Sequence, residues 1–190
     1  MSLTVEKCLQ AWSNSLKQMN AKADIVFLGD SLIYYGDFTH VFPGKVVCNL
    51  GLRGDTIHGL INRIEQVKIL EPKVVYLMVG INDVPTCSLD EFKENYESLI
   101  KLLINHLPGA TLYIHSMLPV NHVCFKLSCQ NDQIVTYNKL IKQLSIENNL
   151  KYIDLYSIYV KDDILPDVLT YDGLHLNKES YQAWYSLLSL

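Results

Sequence analysis

A chain of 190 residues has the length of one folding unit at the usual ~100–200 residues per domain, so we expect one domain over residues 1–190. Hydrophobic residues make up 49% and charged residues 19%, which excludes a disordered chain, since that needs low hydrophobicity and high net charge. Sixteen basic residues against twenty acidic ones give a formal charge of −4. That balance argues against nucleic acid or a stable membrane association, because both recruit a basic face.

The five cysteines, Cys8, Cys48, Cys87, Cys124 and Cys129, are odd in number and contain no Cys-x-x-Cys pair. Structural zinc and a paired redox motif are poorly supported, and a reducing compartment is expected. Cys48 reads as a small buried hydrophobe. Cys124 and Cys129 are close enough to pair within a loop, but the pattern does not require it. The opening residues lack the basic and apolar regions of a secretory signal, and no apolar run approaches the ~20 residues of a membrane span. The expectation is cytoplasmic, with an exported form whose signal has been removed left open.

In chain order, Thr4 to Met19 carries apolar residues at helical spacing, and Ile25-Val26-Phe27-Leu28 follows as a strand. That strand runs into Gly29-Asp30-Ser31-Leu32. Turn chemistry alone explains the tripeptide, with Asp30 or Ser31 capping a helix. The functional alternative is a hydroxyl displayed at a strand-to-helix turn, where it faces a cleft. A second strand, Val46 to Leu50, leads into Gly51-Leu52-Arg53-Gly54-Asp55-Thr56. Here a glycine lets backbone N–H groups approach an anion, and Asp55 is the expected cap of the next helix. Arg53 reads most simply as a solvated charge.

The third strand, Val74 to Val79, ends in Gly80-Ile81-Asn82-Asp83. A strand-end amide such as Asn82 has N–H groups to donate, although an Asx turn is an equal reading. Leu89 to Leu107 is an amphipathic helix stopped by Pro108-Gly109, and Leu112 to Ser116 is a fourth strand. A long loop from Leu118 to Asp132 precedes a helix to Asn148, and Tyr152 to Leu155 is the fifth strand. Near the end stands Tyr171-Asp172-Gly173-Leu174-His175, before a helix from Asn177. An Asp three residues before a His brings a carboxylate within reach of one ring nitrogen and leaves the other as a base. His40, His58, His106, His115 and His122 are scattered without a metal-ligand spacing.

Five β-rich runs alternating with helices predict an α/β fold, a flavodoxin-like three-layer α/β/α sandwich on a five-stranded parallel sheet. Ligands in such folds bind beyond the carboxyl ends of the strands, where these four short patterns fall.

Taken together, the four patterns resemble the SGNH (GDSL-like) hydrolase family. Gly29-Asp30-Ser31-Leu32 matches its first block, Gly51 the second, Gly80-x-Asn82-Asp83 the third and Asp172-x-x-His175 the last. The resemblance implies ester hydrolysis without metal or organic cofactor. It implies Ser31 as nucleophile, His175 as base and Asp172 as its orienter. The oxyanion hole it implies is formed by Ser31 N–H, Gly51 N–H and the Asn82 amide. Within the family the chain looks similar to short-acyl, platelet-activating-factor acetylhydrolase-like esterases. The expected partner is a small acyl ester, an O-acetyl group on a sugar or similar polar alcohol. Lysophospholipase or thioesterase action on longer chains is the alternative. Tyr34, Tyr35 and Phe38 either line a pocket or pack in the core, and nothing in the pattern argues for or against a homo-oligomer. Two readings from other classes are weaker. A non-catalytic flavodoxin-like binding module lacks a phosphate-cradling loop after the first strand. A phosphatase using Asp30 wants more carboxylates for Mg²⁺ than Asp83 provides.

Overall fold

The structure, a computed structural model, describes residues 3–124 and 130–189, with side chains from residue 10 onward. Helix α1 (Leu3–Gln18) leads to β1 (Ile25–Gly29) and the short α2 (Ser31–Tyr35). After β2 (Val47–Gly51) come α3 (Ile57–Asn62), α4 (Ile64–Leu70), β3 (Val74–Met78) and α5 (Leu89–His106). The chain continues through β4 (Thr111–His115), α6 (Asn131–Glu147), β5 (Lys151–Ile153), α7 (Tyr156–Tyr159) and α8 (Tyr181–Tyr185). The sheet order is β2-β1-β3-β4-β5 and every pair is parallel. The expected α/β sandwich is therefore present.

Alternation along each strand divides the core by chemistry. Val26, Leu28, Val75, Leu77, Leu112 and Ile114 join an aliphatic layer beneath α3, α4, α5 and α6. Ile25, Phe27, Tyr76 and Tyr113 point to the other face, where α2, α7 and α8 cover them. Phe27, Tyr76 and Tyr113 are register partners on three adjacent strands, and their rings stack at 4.7 and 4.6 Å. Phe38 continues the stack on Phe27 at 3.8 Å, so it belongs to the core, while Tyr34 and Tyr35 are exposed.

The long helices follow their apolar periodicity. Helix α5 also has a capping box between Ser88 and Glu91, which satisfies donors at its first turn. The last helix is shorter than the pattern predicts. Asn177 Oδ1 accepts from Ser180 N and Oγ, which closes a turn, and regular helix begins only at Tyr181. Thr56, not Asp55, caps α3, with its hydroxyl accepting from Gly59 N. Cys48, Cys87 and Cys124 are free thiols, and a Cys124–Cys129 pair would fall outside the described residues.

Candidate active site

Asp30 takes the extended conformation that follows β1, and its Oδ1 accepts from Leu32 N at 2.9 Å. That cap starts α2 and leaves Ser31 as the first helical residue at the strand end. The Ser31 Oγ lies 2.9 Å from His175 Nε2, and His175 Nδ1 lies 2.7 Å from Asp172 Oδ2. A carboxylate at Nδ1 requires the ring proton there, so Nε2 presents its lone pair to the serine hydroxyl. Asp172 Oδ1 meanwhile accepts from the backbone N–H of Leu174 and His175. Burial pushes the Asp172 carboxyl up, but the hydrogen bonds from the His175 ring, His175 N and Leu174 N outweigh it and hold it below its ordinary value.

The loop carrying this pair is stapled by residues the sequence patterns did not single out. Thr170 Oγ1 donates to His175 O at 2.7 Å and accepts from Gly173 N at 2.9 Å. Asn121 N donates to Gly173 O, tying the loop to the segment after β4. That segment is itself clamped by α6, since Asn138 bonds both polar groups of the Met117 backbone and Asn131 those of Val120. Up to Asn121 the loop after β4 is therefore built into the core edge, His122 to Cys124 are exposed, and residues 125–129 lie outside the described residues.

After the end of β3, Asn82 Nδ2 donates one hydrogen to Asp55 O at 2.8 Å, and its second carries no hydrogen bond among the described residues. Asp55 is held in turn by Arg63, whose side chain is almost wholly buried. The Arg63 guanidinium bonds Asp55 Oδ2 at 2.8 Å, Gly29 O at 3.2 Å and Leu50 O at 2.7 Å. One planar fork thus joins the ends of β1 and β2 to the loop that fixes Asn82.

Gly51 requires a correction. Its N–H donates to Asn49 Oδ1 at 2.8 Å, so it is not an open donor to a ligand. Asn49 also donates to Ile33 O and Gly36 O, locking β2 against α2. A Cβ at Gly51 would lie 2.2 Å from Tyr34 N, so glycine serves close packing here. Within the same loop the N–H groups of Arg53 and Gly54 carry no hydrogen bond among the described residues. Gly54 sits at φ +72°, in the left-handed region.

Two further carboxylates lie beneath the site. Burial raises Asp30 to about 7, opposed by the Leu32 N–H and reinforced by Asp55 and Asp83. Burial likewise raises Asp83 to about 6, opposed by the Ile57 N–H at the start of α3 and reinforced by Asp55. Both are turned toward backbone donors, and among the described residues no group of three or more His, Cys, Asp and Glu is arranged to hold a metal ion.

A flavodoxin-like sheet with a Ser–His–Asp line across its strand ends is the layout of an acyl-transfer hydrolase. The chain belongs to the GDSL-like lipase/acylhydrolase family, whose model matches residues 27–183. Among curated proteins no sequence matches it. Solved structures share its fold at low identity. A GDSL-like lipase from Bacteroides thetaiotaomicron is 20% identical, covering 94% of each chain with a TM-score of 0.75. A lipase/acylhydrolase from Enterococcus faecalis is 23% identical over 86% of this chain and 91% of that one, with a TM-score of 0.73. An acetyl xylan esterase from Geobacillus stearothermophilus is 22% identical over 88% and 94%, with a TM-score of 0.70. No helix among the described residues is long and apolar enough to cross a membrane.

Proposed function

We propose that the chain is a serine esterase that cleaves short acyl esters, acetyl esters of a sugar or similar polar alcohol foremost. The observation that carries this reading is the hydrogen-bonded line from Ser31 Oγ through His175 to Asp172, at 2.9 and 2.7 Å. Ser31 attacks the ester carbonyl while His175 Nε2 takes its proton, then returns it to the leaving alcohol. Asp172 keeps the Nδ1 tautomer and stabilises the imidazolium. Water activated by His175 then releases the acyl group from Ser31.

The oxyanion needs donors on the side of Ser31 away from His175. Ser31 N–H, at the first position of α2, has no partner inside the helix. We assign the second donor to the free hydrogen of Asn82 and the third to Gly54 N–H in place of Gly51. Gly54 adjoins Asp55, whose carbonyl already fixes the Asn82 amide. Membership of the acylhydrolase family supports ester chemistry, and an acetyl xylan esterase among the structural neighbours is in keeping with a small acyl group.

A fluorophosphonate should label Ser31 and abolish hydrolysis of p-nitrophenyl acetate, and Ser31→Ala should be inactive. Labelling at another residue would overturn the assignment. Rates measured on esters from C2 to C12 should fall with chain length. A steady rise toward C12 would replace the short-acyl reading with the lysophospholipase or thioesterase one.

A further inference from the structure

An oxyanion donor at Asn82 works in only one orientation of its amide. Turned over, the side chain would aim Oδ1 at the developing negative oxygen and repel it. The two ends of an amide have nearly the same shape, so packing does not choose between them. The choice is made by Asp55 O, which can only accept and takes Nδ2 at 2.8 Å. The Asn82 donor is therefore only as well aimed as the Asp55 carbonyl.

Asp55 lies in an irregular loop, yet each of its polar groups is held. Its N–H donates to Leu52 O, and its Oδ1 accepts from Thr56 N. Its Oδ2 accepts from Arg63 Nε at 2.8 Å, inside an ion pair whose two side chains are almost wholly buried. The same guanidinium reaches Gly29 O and Leu50 O, so it refers Asp55 to the ends of β1 and β2. From the other side, Ile57 N donates to both oxygens of Asp83, the neighbour of Asn82. The two loops thus bond each other in both directions. Gly59 makes room for the arrangement, since a Cβ there would lie 1.9 Å from Asp55 Oδ1. A buried ion pair adds little stability over apolar side chains of the same volume. What this one adds is direction, because a planar fork on three fixed acceptors has one pose.

We propose that Arg63 and Asp55 are positioning residues for catalysis, which turn the Asn82 amide so that its second N–H meets the oxyanion. Neither touches the substrate. The proposal rests on the esterase reading and adds to it what aims one of the donors. Acylation and deacylation both pass through the oxyanion, so a misaimed amide slows both steps alike. The loss then falls on kcat and leaves KM nearly unchanged.

The test is a double-mutant cycle on p-nitrophenyl acetate with Asp55→Asn, Asn82→Ala and the two combined, each checked for folding by circular dichroism. Asn82→Ala should lower kcat by about 10²–10³. Asp55→Asn should lower it by about tenfold, since the donor is misplaced rather than removed, with KM within about twofold. In the Asn82→Ala background, Asp55→Asn should cost no more than about twofold further. Arg63→Lys, which lacks the planar fork, should follow Asp55→Asn in both backgrounds. Where Asp55→Asn does not fold, Gly59→Ala takes its place, because its Cβ displaces the carboxylate and removes no hydrogen-bonding group. A merely structural role would slow both backgrounds equally, and that result would overturn the proposal. An unchanged kcat in the single variants, or a loss confined to KM, would overturn it as well. Wild type without turnover of the ester would defeat the esterase reading and this one together. Turnover that Ser31→Ala abolishes, with additive losses in the cycle, defeats the positioning alone.

Discussion

Asp172 does two jobs with two oxygens, one on the His175 ring and one on the backbone of its own turn. Asn at this position keeps the backbone bonds but aims an amide N–H at Nδ1, which favours the wrong tautomer. Asp172→Asn should therefore stay folded and lose turnover, by up to about 10⁴ where the carboxylate alone orients the ring. His175→Ala should be at least as severe. Wild-type rates in Asp172→Asn would show that the residue only makes a turn. The depressed carboxyl has a stability sign as well. Its contribution is present above the unfolded pKa and is lost as pH falls through the lower folded value. Urea titrations should show wild type and Asp172→Asn differing at neutral pH and converging below about pH 4. A gap that persists unchanged into acid would exclude the linkage. The meeting of Ser31 with His175 and Asp172 was legible because each sits in a short local pattern beyond a strand end. Gly51 was misread because the group that claims its N–H, the Asn49 amide two residues earlier, belongs to the fold's packing rather than to the motif.

At the scale of elements, α2 carries Ser31 and is held by the Asp30 cap after β1 and by Asn49 of β2. The amphipathic α1, α5 and α6 could be read from periodicity, whereas α2, α3 and α4 have five to seven residues, too few to show a period. Part of what holds the short helices is polar and nonlocal, and that part leaves no trace in spacing. Arg63 illustrates this, with bonds to both β1 and β2 ends and to Asp55. Arg63→Met strands the part-buried Asp55 carboxylate and leaves Gly29 O and Leu50 O without their donor, and should destabilise the fold by about 3 kcal/mol in urea unfolding. A loss below about 1 kcal/mol would dismiss it as the anchor. Asp30 behaves in the opposite sense to Asp172. Its folded pKa is raised to about 7, so holding it buried costs stability progressively from the unfolded value near 4 up to about 7. Asp30→Asn retains an oxygen to cap Leu32 N and removes the titration. The variant should gain on wild type between pH 5 and pH 8, by a few kcal/mol at most. A stability difference that is flat across that range would show that Asp30 is already ionised in the folded chain.

Across the whole molecule, the site joins residues 144 positions apart, so its integrity depends on how the C-terminal segment is held. The five parallel strands and the placement of all four motifs at one sheet edge followed from the alternation of β-rich runs and helices. The path from Val160 to Ser180 did not, because it has little regular structure and only isolated bridges. Such a segment looks ready to peel away before the rest unfolds. Its side chains argue otherwise. Leu174 enters the aliphatic layer, while Leu165, Leu176, Tyr181 and Trp184 are buried in the aromatic one. Each such side chain forfeits about 1.5–3 kcal/mol on exposure, so detaching the segment costs an amount similar to the ~5–15 kcal/mol of a whole folded domain. Hydrogen bonds from Tyr181 Oη to Leu32 O and from Tyr159 Oη to Ser180 O add to that cost. Local opening then gains nothing over global unfolding. Esterase activity, far-ultraviolet circular dichroism and Trp184 fluorescence in a Trp12→Phe background should all be lost at one urea midpoint. Activity vanishing at a clearly lower midpoint, with helix content intact, would show that the Asp172–His175 loop opens as a separate unit.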